Sequence, residues 1–189
     1  MDENDTRTAQ LIEEAKSRLR LGPFNVFLLW GYLVALVSLA EYALVSLTHS
    51  GLSLWGWFLI PLIGYPLQWR YGPQPDTSVA NYPERLVRHV WFFLKVAFLL
   101  AVAFVSLSRL PWMYLLPLTL LMSSIGVSVT GAILRERPMM VCPVVALCIG
   151  LYQLTAVSHD DLSLGGFLQF SLAFLVMLVL PGHLFGRSR

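Results

Sequence analysis

Glu41 is the side chain with the clearest capacity for chemistry, because it stands inside a long apolar stretch, Phe24–Leu47. Placing a charge near the centre of a membrane span costs about 2.5–3.5 kcal/mol. A carboxyl in that position is either protonated or faces water or a polar partner. At a rise of 1.5 Å per residue, Glu41 lies about 8 Å outward of its stretch's centre. By the same rise Gln153 lies about 7–8 Å outward in its own stretch, Gln169 about 4–5 Å and Thr119 about 6 Å. Tyr42 and Tyr152 bring hydroxyls to that level. Together these residues compose a polar layer suited to a small polar or cationic solute, or to a lipid headgroup. The plain alternative is interhelical hydrogen bonding that only fixes packing, at about 0.6–2 kcal/mol per bond.

Other chemistries lack their residues. The sequence contains no G-x-S-x-G, H-E-x-x-H, Walker or G-x-G-x-x-G motif. His49, His89, His159 and His183 fall at the ends of apolar stretches, with no pair at i, i+4. Cys142 and Cys148 are separated by about 240° of helical rotation and cannot bridge each other. We therefore expect no catalytic residue, no metal and no cofactor, and a protein that is not an enzyme.

The elements that must carry the polar layer follow from composition. The chain has 189 residues, of which 57% are hydrophobic and 13% charged. Its mean hydropathy is +0.67. A soluble domain has about 45–50% apolar and about 25% charged residues, so an integral membrane protein is indicated. A net charge of +2 gives no reason to expect nucleic acid as a partner. Six stretches are long and apolar enough to span: Phe24–Leu47, Leu52–Trp69, Val90–Leu107, Trp112–Leu134, Met139–Val157 and Leu164–Leu180. Continuous apolar runs favour helix over the alternation of a barrel strand. The expected fold is an all-α, six-helix transmembrane bundle of three antiparallel hairpins over 24–180, with short outer turns. Starts near Trp55, Trp112 and Phe167 hint at a repeated two-helix unit.

With an inside N-terminus, every Lys and Arg except Arg109 falls at the inner side. The positive-inside rule then puts both termini in the cytoplasm. Residues 1–23 form a cytoplasmic segment in which Thr6–Leu21 reads as an amphipathic interfacial helix, capped by Asp5 or Thr6 and ended by Gly22-Pro23. That helix either sets the entry angle of the first span or docks a cytoplasmic regulatory protein. The apolar run that follows is too long for a signal h-region, so it reads as an uncleaved span. Residues 181–189 form a basic cytoplasmic tail.

Remaining features have structural explanations. Lys95 lies in the inner half of its span, where snorkelling accounts for it. Ser124, Gly126, Ser128 and Thr130 are small residues spaced for close helix packing, within the bundle or in a homodimer seam. Pro61, Pro66 and Pro117 can kink their spans. The six tryptophans read as interfacial anchors.

Leu11-Ile12-Glu13, the LLWG-type segment Phe27-Leu28-Leu29-Trp30-Gly31-Tyr32-Leu33 and the PGHL-type segment Leu180-Pro181-Gly182-His183-Leu184 resemble a family of small bacterial six-span membrane proteins. No activity is assigned to that family. Its members are encoded beside small winged-helix regulators. The resemblance implies the bacterial inner membrane and a regulatory or envelope-sensing context. Physically, Pro181-Gly182-His183 is expected to end the last span at the inner surface, with Gly182 permitting the terminal turn. The functional expectation is a non-enzymatic binding, sensing or regulatory membrane component. The alternative is a small-solute transporter or channel built around Glu41.

Overall fold

A computed structural model describes residues 7–14, 25–48, 51–71, 82–158 and 164–187. These residues are almost wholly helical. Residues 7–14 form α1, with Ile12 buried, Leu11 half-buried and the remaining side chains exposed, as an amphipathic helix requires. The rest of the helix expected over Thr6–Leu21 lies outside the described residues, as do residues 72–81 between the expected second and third spans, and His159, Asp160 and Asp161.

Beyond α1 come α2 (Val26–Thr48), a 3₁₀ segment (Gly51–Phe58), α3 (Leu59–Tyr71) and α4 (Tyr82–Leu107). A 3₁₀ turn (Trp112–Tyr114) leads into α5 (Leu115–Leu134), followed by α6 (Arg137–Ser158) and α7 (Gly165–Phe174). A π segment (Leu175–Val179) joins α7 to α8 (Leu180–Arg187). Among the described residues five helical runs are long and apolar enough to cross a membrane: Val26–Thr48, Tyr82–Leu107, Trp112–Leu134, Arg137–Val157 and Gly165–Leu184. The expected second span, Leu52–Trp69, is instead divided between the 3₁₀ segment and the 13-residue α3.

Proline explains that division. Pro61 has no N–H to give the carbonyl of Trp57, so α-helix does not continue back across Phe58. The same device recurs where Pro117 follows the Trp112–Tyr114 turn as the third residue of α5. A proline in the first turn is tolerated because its N–H would be unsatisfied there anyway.

The last span corrects an expectation. Pro181 and Gly182 do not end it; helix continues to Arg187. Pro181 cannot donate to the Met177 carbonyl, and its ring would crowd that carbonyl. The chain accommodates it by widening the preceding turn, so that Leu180 N–H bonds Leu175 O. Gly182 serves close packing: a Cβ there would come within 2.8 Å of the Leu28 side chain. Asn25 Nδ2 donates to Gly182 O at 3.0 Å.

The core lies between α2, α5, α6 and α7 with its π segment. Leu120, Val127 and Leu134 form one buried stripe of α5; Phe167, Phe170, Phe174 and Met177 form another on the last span. α5 packs most extensively on α6. The ends joined by the 135–136 turn meet backbone to backbone, for a Cβ on Gly131 would lie 2.7 Å from the Met139 carbonyl carbon. Gly126 lies against Leu94 and Trp91 of α4, and Ser124 against Met177. These small residues of α5 are thus used inside the bundle. Three tryptophans expected as anchors also pack inward. Trp30 donates to Gln68 and Trp91 to Thr130, while Trp57 stacks on Phe167. Trp55, Trp69 and Trp112 remain exposed. α3 packs on α2 and α4 on α5, as flanking elements around that core.

Candidate functional site

Antiparallel packing of α2 on α7 sets the frame of the site. Ser38 Oγ donates to Phe167 O at 2.8 Å, and Ser171 Oγ donates to Ala35 O at 3.2 Å. Each bond gives a helix carbonyl a second donor, which locks the two helices in register. Both serines are buried.

Glu41 stands one turn beyond Ser38, about 4.5 Å further along α2. It is 1% exposed. Its carboxylate rests on the 3₁₀ segment, where a Cβ on Gly56 would overlap Oε1. Glycine thus lets the backbone close over the acid without displacing the Glu41 side chain. The adjoining Trp57 ring stacks on Phe167 with centroids 6.3 Å apart. It also meets Phe170 edge-on at 5.2 Å. This aromatic contact pins the 3₁₀ segment to the last span, beside the carbonyl that Ser38 engages.

Gln153 of α6 approaches from the other side and is 0% exposed. Its Nε2 donates to Gly166 O at 2.9 Å and makes a long contact of 3.5 Å with Gln169 Oε1. Gly166 and Phe167 are successive residues, so Gln153 and Ser38 hold adjacent carbonyls of α7. Gln153 Oε1 is buried and has no hydrogen-bond partner among the described residues. A buried acceptor left in that state costs about 1–3 kcal/mol. Water, an ammonium N–H or a cation would satisfy it.

The structure brings Gln153 and Gln169 together on the last span, one residue from the carbonyl that Ser38 engages, and sets Glu41 one turn beyond Ser38 against Gly56. Thr119 instead donates to Leu115 O of its own helix at 2.6 Å. Tyr42 is partly buried and packs against the hydrophobic core, whereas Tyr152 is 61% exposed on the outside of α6. Ser38 has a sequence signal, since it lies three residues before Glu41 on the same helical face. Gly56 and Trp57 carry none, because their role depends on where the 3₁₀ segment folds back.

These elements present acceptor oxygens: those of the Glu41 carboxyl, a free amide oxygen on Gln153 and the helix carbonyls beside it. They suit a cation or an N–H-bearing solute. Among the described residues no group of His, Cys, Asp and Glu could hold a metal ion. Comparison with protein-family models, curated proteins and solved structures finds no match for this chain. Its all-helical build and apolar helices are those of a membrane-embedded protein.

Proposed function

We propose that this chain is a non-enzymatic, multi-pass component of a bacterial inner membrane that binds or senses a small polar or cationic solute in the outer half of its bundle. One observation carries the reading: an acid and an amide, Glu41 and Gln153, are wholly enclosed in an apolar bundle, the amide with an unsatisfied oxygen. Enclosure favours binding or sensing over steady conduction, since solvent reaches neither side chain in this conformation. The sequence resemblance supports the bacterial setting and a cytoplasmic regulatory partner, and the distribution of Lys and Arg supports cytoplasmic termini.

Six crossings remain the reading that length supports. The 3₁₀ segment rises about 16 Å at 2.0 Å per residue, and α3 about 20 Å at 1.5 Å per residue. Their sum exceeds a hydrocarbon core of about 30 Å. A second reading, a small-solute transporter, draws on the same break: an interrupted span lies directly over Glu41, as interrupted helices lie at transporter sites.

Thermal unfolding in mild detergent, with a panel of inorganic and organic cations and polar solutes, tests the proposal. A ligand present at about a hundred times its Kd should raise Tm by about 5 °C or more. Glu41→Gln should abolish that rise. A flat screen, or equal rises in the variant, would overturn the binding reading.

A further inference from the structure

A second cluster lies in the opposite half of the molecule and is independent of Glu41. Lys95 is exposed midway along α4, five residues past the start of the apolar run at Val90, about 7.5 Å into the span. Its ammonium lies 5.3 Å from the centroid of the Tyr65 ring on α3. Tyr65 packs edge-on against Trp30, whose indole N–H donates to Gln68 Oε1 at 2.9 Å. An indole nitrogen can only donate, so the oxygen of Gln68 is committed and its remaining polar group is the NH₂. Tyr65 and Gln68 are three residues apart on one face of α3. The ammonium thus lies over the Tyr65 ring, with the Gln68 amide on the same face of α3 as Tyr65.

Among the described residues no carboxylate answers them. Neither α3 nor α5 carries an Asp or Glu. Glu41 of α2 lies in the other half of the bundle. Glu84 of α4 is about 16 Å from Lys95 along the helix and is paired with Arg88 at 3.0 Å. Because α3 packs on α2 and α4 on α5, the two helices do not pack extensively on each other. They approach where Lys95 meets Tyr65, and both of these side chains are exposed. Outward of the cluster, Leu62 and Leu99 are 68% and 66% exposed, one turn from Tyr65 and Lys95 respectively.

We infer that this site between α3 and α4 binds an anionic phospholipid from the leaflet at which Arg70, Arg85 and Arg88 lie. Its phosphate meets Lys95, with Tyr65 and Gln68 beside it, and an acyl chain runs outward over Leu62 and Leu99. Charge-assisted hydrogen bonds from an ammonium to phosphate are among the stronger ones, and basic sites between membrane helices take such headgroups. A lipid reaches the site through the membrane; a free phosphate would have to leave water to do so.

The test is thermal unfolding in phosphatidylcholine nanodiscs with and without phosphatidylglycerol. Phosphatidylglycerol should raise the Tm of the native protein by about 5 °C. Lys95→Gln is exposed and should fold, but should lose most of the rise. Arg137→Gln, on the same membrane face but at the start of α6, should keep it. An equal rise in Lys95→Gln, no rise in the native protein, or loss of the rise in Arg137→Gln would overturn the assignment. So would the same rise from inorganic phosphate in phosphatidylcholine discs.

Discussion

Arg135 adopts φ 54° in the turn between α5 and α6. Its N–H bonds Ala132 O at 3.3 Å, and Glu136 N–H bonds Gly131 O at 2.8 Å. This is a Schellman turn in which glycine is the usual occupant, since a side chain in the left-handed region costs about 1–2 kcal/mol. Arg135→Gly should therefore raise Tm by about 1–3 °C, and Arg135→Ala should not. Thermal denaturation of the two variants decides it. Single residues of the site differed in how readable they were. Glu41 was conspicuous as a charge in hydrocarbon, and Gln153 and Gln169 as amides at the same depth. Thr119 and Tyr152 shared that depth but not the facing. Depth follows from counting, whereas facing depends on which neighbours each helix acquires. A threonine hydroxyl can also satisfy itself on its own helix, as Thr119 does.

Whole elements were legible where apolar runs were continuous, and less so where proline intervened. The first span agrees to within two residues of Phe24–Leu47, since α2 covers Val26–Thr48. The second span and the last departed because Pro61 and Pro181 each remove a donor, and the chain answers with a 3₁₀ segment in one case and a π segment in the other. The two end segments that carry the family resemblance turn out to touch. Asn25 caps α2 by accepting from Phe27 N–H at 3.0 Å while it donates to Gly182 O. Tyr32 Oη lies 2.9 Å from His183 Nε2, and Gly31 meets the π segment at Leu178 and Val179. A capping side chain is worth about 1 kcal/mol and an added hydrogen bond about as much. Asn25→Ala should therefore cost about 2 kcal/mol. Asn25→Ser, which keeps a capping oxygen but is too short to reach Gly182, should cost about half as much. Thermal melts of both variants in one detergent measure the difference.

For the molecule as a whole, composition and the pattern of apolar runs were enough to indicate helices that cross a membrane. Which helices form the centre was not readable, since α2 and α4 are equally apolar to the eye. Long-range packing decides it: α2 lies against the last span, while α4 leaves Phe92, Phe93, Leu99 and Phe104 exposed to lipid. The buried polar groups are the product of that arrangement, because α2 and α6 both pack on the last span, where Ser38 and Gln153 reach successive carbonyls. The most direct test is an experimental density map of the protein in lipid nanodiscs, at a resolution that shows ordered solvent, inspected around Gln153 Oε1. Non-protein density within hydrogen-bonding distance of Gln153 Oε1, lost on Gln153→Leu, is the expected result. A dry layer in the native protein, with that oxygen bonded to a neighbouring side chain, would contradict the binding role.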